Sequence, residues 1–179
     1  MIIFIAGAHG VGKSTLCSNF ILTNDFIHTS ASQLISQGKI QDWDNQKKTD
    51  TADDNQVILI RELNKIKKDN VNLLLDGHFV LIDSKSQFIE LKKDVFKGMG
   101  LDGVILIECD DELIEERFAM REAKLHYEPE NLRILERKNA EEICEQLSIP
   151  LKILFQPSIE AFESAVNEIA NAGDKHPQA

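Results

Sequence analysis

Basic residues are scarce in this chain. Its 179 residues include 20 Lys and Arg against 30 Asp and Glu, a formal charge of −10. That balance argues against a general nucleic-acid binder, because no broad cationic face is on offer. A strongly anionic small ligand would have to be held by a few local Lys and Arg residues. Cysteine is scarce too. Cys17, Cys109 and Cys144 are an odd number without CxxC spacing, which argues against a disulfide framework or a zinc site and reads as buried thiols in a reducing compartment. No apolar run approaches membrane length, and the first one ends at a glycine-rich turn, unlike a signal peptide or a spanning helix. The expectation is a cytoplasmic protein. Internal repeats, low-complexity tracts and convincing linkers are missing as well. What is present, 42% hydrophobic and 28% charged residues, is a globular composition of a length that suits one ordinary domain. The expected division is a single domain over 1–173 with a frayed tail over 174–179.

The strongest signal lies in the first fifteen residues. Ile2 to Ala6 is an apolar, β-branched run too short for a helix, so it reads as a buried parallel strand. Gly7-Ala8-His9-Gly10-Val11-Gly12-Lys13-Ser14-Thr15 follows, with the G-x-x-x-x-G-K-S spacing of a phosphate-binding loop, and a helix is expected from Lys13. Glycines let backbone N–H groups converge on phosphates that Cβ atoms would keep away. The helix that follows aims its positive end at the same anion. In such a loop Lys13 reaches the β- and γ-phosphates, and the Ser14 hydroxyl ligates Mg²⁺.

Strand and helix signals then alternate. Phe26 to Thr29 reads as a second strand, and Ser30 and Ser32 offer N-caps for a small helix through Ser36. Gly38 to Asp54, with Trp43 alone among polar residues, reads as a surface excursion of the kind that carries substrate contacts. A long amphipathic helix is expected from Asp53, a strand over Val71 to Asp76, and a helix over Ser86 to Lys97. Leu101 to Cys109 is a further strand and Asp110 opens a helix. After the break at Tyr127 to Pro129 comes a helix over Glu130 to Leu147, then a strand over Leu151 to Phe155 and a last helix over Ser158 to Ala172. This alternation predicts an α/β, three-layer fold: a five-stranded parallel sheet with helices on both faces and right-handed crossovers.

Two further groups bear on chemistry. Leu73-Leu74-Leu75-Asp76 is an apolar run that ends in an acid at the sheet edge where ligands bind, so Asp76 is a candidate for the Mg²⁺ side of the site. His78, beyond Gly77, is either a turn histidine bonded to backbone or a substrate contact. Arg117 and Arg121 stand four apart, as do Arg133 and Arg137, so each pair shares one helix face. Either they pair with nearby glutamates such as Glu115, Glu116, Glu136 and Glu141, or they close over a triphosphate as a lid spanning 117–137, with Lys124, His126 and Tyr127 in the turn.

With these residues the chain resembles the nucleoside monophosphate kinase group, adenylate-kinase-like proteins with short lids in particular. The likeness rests on Gly7 to Thr15, on Asp76-Gly77-His78-Phe79 and on Asp110 to Arg117 with Arg121. Arg137-Lys138-Asn139-Ala140 and the strand Leu151 to Phe155 add to it. The resemblance implies ATP and Mg²⁺ as cofactors, Asp76 beside the acceptor, Arg117 stacked on adenine, Arg121 on phosphate, and the loop with Gln156 near the base. Lys13, Asp76, Arg117, Arg121 and Arg137 are the catalytic candidates. This chain departs from the family in two places. The helix after the second strand has no Arg, and the Asp-Gly turn continues His-Phe-Val where many relatives have Phe-Pro-Arg. Ser30, Ser32, Lys39, Arg61, Gly77 and His78 are left as candidate acceptor contacts within and beside a 29–61 segment. The acceptor stays open between a nucleoside monophosphate and a less charged metabolite. The expected activity is Mg·ATP-dependent phosphoryl transfer by a monomer or weak dimer; the alternative is an ATP-binding switch or slow ATPase acting with a protein partner.

Overall fold

The computed structural model describes residues 1–44, 52–121 and 126–173. The order of elements is β1 (Ile2–Ala6), α1 (Lys13–Phe20), β2 (Ile27–Ser30), α2 (Ala31–Asp44), α3 (Ala52–Lys68), β3 (Leu73–Asp76), β4 (Val80–Ile82), β5 (Phe88–Glu90), α4 (Lys93–Met99), β6 (Gly103–Glu108), α5 (Asp111–Met120), α6 (Pro129–Leu147), β7 (Leu151–Phe155) and α7 (Ile159–Gly173). Five strands form one parallel sheet in the order β2-β3-β1-β6-β7, as the sequence pattern implies. β1, β3 and β6 are buried along their whole length, which is why they read as unbroken apolar runs.

The chain moves from β1 outward to β2 and afterwards only back across the sheet. Right-handed crossovers therefore place α1 on one face and the helices of the later crossovers on the other. The contacts agree: α1 packs on α7, while α3 packs on α4 and α4 on α6. Phe20 and Phe162 meet edge to face at 5.9 Å in the first layer. Phe4, Phe79 and Phe96 form the aromatic centre of the other, with Phe79 stacked on Phe96 at 4.4 Å. No helix among the described residues is long and apolar enough to cross a membrane.

Two sequence expectations are corrected. The helix after β2 does not stop near Ser36 before a surface excursion; α2 continues to Asp44, through Gly38 and Trp43, and α3 begins at Ala52. The start of α2 is a reciprocal cap: the Gln33 N–H donates to Ser30 Oγ, and the Ser30 N–H donates to Gln33 Oε1. Gly38 survives within the helix because it is a packing site, where an added Cβ would lie 2.3 Å from Ile58 Cγ2 on α3. The rest of that excursion, residues 45–51, lies outside the described residues, as do Lys124 and the tail 174–179. The second correction concerns Ser86 to Lys97, which is not one helix. It divides into β5, antiparallel to β4, and the short α4. The Asp83 carboxylate accepts the N–H groups of Lys85 and Gln87 and fixes a tight turn there, a local competitor that helical spacing of Phe88 and Leu91 does not reveal.

Candidate active site

β1 delivers the chain into the loop at Gly7, whose φ of +137° and packing both demand glycine: an added Cβ would sit 2.2 Å from the Ile107 carbonyl oxygen on β6. Val11 and Ala8 are buried beneath the loop, His9 and Gly10 shape its crest, and Gly12 leads into α1. Lys13 and Ser14 then open that helix, with Ser14 and Thr15 exposed in the first turn. The Lys13 ammonium is nearly enclosed, at 5% exposure. It donates to the carbonyls of Gly7 at 2.7 Å and Ala8 at 3.1 Å. Burial pushes its pKa down, and the Asp76 carboxylate 3.8 Å away pulls it back up.

Asp76 reaches this point because β3 lies beside β1 in a register that pairs it with Ile5. Its Oδ2 accepts the Ser14 hydroxyl at 2.7 Å. A helix start, a lysine, a hydroxyl and a carboxylate thus converge from residues 62 positions apart in sequence. This donor set fits Mg·ATP. The hydroxyl and the carboxylate are hard oxygen ligands, the number a magnesium ion takes from protein when phosphates and water complete its shell. Lys13 and the α1 N–H groups suit the phosphates. Among the described residues no group of three or more His, Cys, Asp or Glu side chains could hold a metal by itself.

The turn after Asp76 is packed as tightly as the loop. A Cβ on Gly77 would lie 2.4 Å from Phe4 Cε2. His78 packs against His9 of the phosphate loop, with ring centres 4.0 Å apart and the rings tilted by 43°, and its Nδ1 lies 3.2 Å from Glu136 Oε1. Glu136, on α6 and 1% exposed, also accepts the N–H groups of Phe79 at 3.0 Å and Val80 at 3.2 Å. Burial raises its pKa to about 7 against the downward pull of those N–H groups, Lys13 and His9. Burial also lowers His78 to about 3 and His9 to about 4. At neutral pH both rings are therefore uncharged, and the His78–Glu136 contact is a hydrogen bond, not an ion pair.

The arginines part company. Arg117 Nη1 donates to the Gly10 carbonyl at 2.6 Å, which ties α5 to the phosphate loop. Arg121 caps α5 and is exposed. Arg133 makes a two-pronged bond to Asp111 at 3.1 and 3.2 Å. Arg137 likewise grips both oxygens of Glu108, which is 3% exposed at the end of β6. Both of these α6 arginines are thus engaged with acids at the start of α5 and the end of β6. Gln156, at a φ of +42°, donates from Nε2 to Asp110 at 2.8 Å.

On the acceptor side Ser30 and Ser32 share a hydrogen bond beside the α2 cap, and Lys39 lies half-buried along α2. Arg61 points from α3 to Glu62 at 3.0 Å and to the Gly38 carbonyl at 3.2 Å. Two residues that the sequence reading passed over belong to the site. Glu136 stood in it only as an arginine partner, although it occupies the apolar stripe of Leu132, Ala140 and Ile143; a charge at that helical spacing was the available signal. His28, on β2, puts Nε2 3.9 Å from Asp76 Oδ2, and its strand gave no sign of this.

The glycine-rich loop between β1 and α1, with the acid of the neighbouring β3 facing Lys13 and Ser14, defines a phosphate-binding-loop nucleotide-binding fold. A family model described as AAA domain matches residues 6–136, and the chain belongs to that family. Several solved structures share the fold over nearly their whole length. A sugar kinase from Janibacter sp. is 17% identical, with 96% of each chain covered and a TM-score of 0.54. A gluconokinase from Sinorhizobium meliloti 1021 is 14% identical, with 97% of this chain and 93% of that one covered and a TM-score of 0.54. A candidate kinase from Chloroflexus aurantiacus is 15% identical, with 96% of each covered and a TM-score of 0.55. At such identities the likeness speaks for the fold. No curated protein sequence matches the chain.

Proposed function

We propose that this protein transfers the γ-phosphoryl group of Mg·ATP to a small-molecule acceptor. The observation that carries the reading is the convergence of Lys13, Ser14 and Asp76 at the start of α1. Lys13 leaves the carbonyls of Gly7 and Ala8, which it holds here, for the β- and γ-phosphates. Ser14 and Asp76 hold Mg²⁺, which when bound neutralises phosphate charge. Gly7 to Thr15 wrap the phosphates with backbone N–H groups, and Arg117, already on the loop at Gly10, adds a cation beside them. Arg121 would complete the lid and Gln156 would lie by the adenine, as in adenylate-kinase-like proteins, with Arg137 joining them on release from Glu108, which it grips here. Catalysis then comes from positioning and charge stabilisation without a covalent protein intermediate. That the chain shares its fold with a sugar kinase and a gluconokinase supports transfer to a small molecule.

The test is acceptor-dependent conversion of ATP to ADP by the purified protein, with label from the γ-phosphate recovered on the acceptor. ADP formation at the same rate with and without every acceptor tried would refute transfer. That outcome would favour the second reading, a nucleotide switch or slow ATPase working with a protein partner. One observation speaks for it: Arg133 and Arg137 are bound to Asp111 and Glu108, while Glu136 of the same helix is wired through His78 toward the phosphate loop. A partner retained with ATP and released with ADP is its signature.

A further inference from the structure

The acceptor side of Asp76 contains a buried group with nothing to bond. His28 Nε2 is closed to solvent and has no hydrogen-bond partner among the described residues, a costly arrangement for a polar atom in a protein interior. It faces Asp76 Oδ2 across 3.9 Å, too far for a direct hydrogen bond. One oxygen atom ~2.8 Å from each would bridge that gap, a normal length for a hydroxyl donor or acceptor. Oδ2 has a lone pair free for this beside the one taken by the Ser14 hydroxyl, and Oδ1 is left for Mg²⁺. A hydroxyl also has the right polarity at both ends: it donates to the carboxylate and accepts from the imidazole N–H.

The cations described on α3 are engaged elsewhere. On α3, Arg61 bonds Glu62 and the Gly38 carbonyl, Lys65 bonds both oxygens of Glu62, and Lys67 caps the end of α4 at Met99 and Gly100. Lys13, the cation beside Asp76, is assigned to ATP, and a phosphate between Asp76 and His28 would face the carboxylate, whereas a hydroxyl meets matched partners.

We propose that His28 and Asp76 form the acceptor subsite, and that the acceptor is an alcohol: a hydroxyl-bearing small molecule with no phosphate of its own at that point. This rests on the phosphoryl-transfer reading and narrows it. The acceptor oxygen forms a bond to the γ-phosphorus as the bond from that phosphorus to the β–γ bridging oxygen breaks. ADP leaves with the electron pair, and the hydroxyl proton ends on the phosphoryl group of the product. His28 binds and orients the reacting hydroxyl; it takes no proton.

The experiment supplies γ-labelled ATP and Mg²⁺ with two sets of acceptors. One set holds glycerol, glucose, gluconate, adenosine and uridine; the other holds AMP, CMP and UMP. The expected result is label on a member of the first set. For that acceptor His28→Ala should raise KM about tenfold, the loss of one hydrogen bond, with KM for ATP unchanged, and His28→Gln, which keeps a donor, should restore much of it. The thermal midpoint of His28→Gln, which keeps most of the side-chain volume, should stay near that of wild type, because Nε2 makes no bond in the free protein. Label on a nucleoside monophosphate alone would overturn this inference and leave the phosphoryl-transfer reading standing. An alcohol acceptor whose KM ignores His28→Ala overturns it too, and marks water as the bridging oxygen. Label on no member of either set overturns both.

Discussion

Substitution of Glu136 by Gln should change how stability depends on pH, in a direction the structure dictates. Glu136 is an acid whose folded pKa, about 7, stands above its ordinary 4.5 because burial outweighs the N–H groups of Phe79 and Val80, Lys13 and His9. Between those values the folded chain holds a proton that the unfolded chain has released. Raising the pH through this window therefore destabilises the fold, and the loss is complete above pH 7. At ~1.4 kcal/mol per pH unit, the interval from 4.5 to about 7 corresponds to roughly 3 kcal/mol. His9 and His78 act in the opposite sense, since their folded values of about 4 and 3 lie below 6.5, and their stabilisation grows as pH rises toward 6.5. The difference between wild type and Glu136→Gln isolates the carboxyl, because Gln imitates its protonated form at every pH. Urea unfolding from pH 4.5 to 8 should show wild type losing ground to the variant by about 3 kcal/mol across that range. A difference that stays flat, or that moves in favour of wild type as pH rises, would refute the claim that burial dominates at Glu136.

Three other outcomes follow from the geometry. Lys13→Ala should lower ATP affinity about 100-fold, the loss of charge-assisted bonds to phosphate, with an unchanged circular dichroism spectrum; wild-type affinity by calorimetry would sink the loop assignment. Gly77→Ala should cost roughly 1–3 kcal/mol, because its Cβ would press on Phe4, which Phe79 and Phe96 hem in; an unmoved urea midpoint would mean the turn yields freely. Arg137→Ala leaves the buried Glu108 carboxylate without its grip and should destabilise by roughly 1–3 kcal/mol, less than a fully buried pair because Arg137 is itself half exposed. Equal stability of variant and wild type, with lower turnover, would instead assign Arg137 to the lid.

Sequence alone determined the frame of this protein. Ile2 to Ser14 carries strand, loop and helix in one contiguous stretch, so its geometry is set by glycine backbone freedom and local apolar pattern. The three central strands were legible from local pattern too: a strand buried on both faces is apolar along its run, and β1, β3 and β6 are, up to the acids Asp76 and Glu108 that end the last two. Legibility failed where a neighbour in space overrides the local pattern. The helix expected over Ser86 to Lys97 yields to a turn held by one Asp83 carboxylate, and the small helix after β2 runs on because Gly38 lets α2 lie close against Ile58. Tertiary structure decided the use of each charge. Arg117 and Arg137 look alike in sequence, yet one lies on the phosphate loop and the other on Glu108. Glu136 and His28 drew no notice as site residues, because their significance is a matter of burial and of what faces them across 58 and 48 residues of chain, as the contacts of Glu136 with His78 and of His28 with Asp76 show. Backbone chemistry is written in contiguous residues; the pairing of buried polar groups exists only once the sheet brings strand ends together.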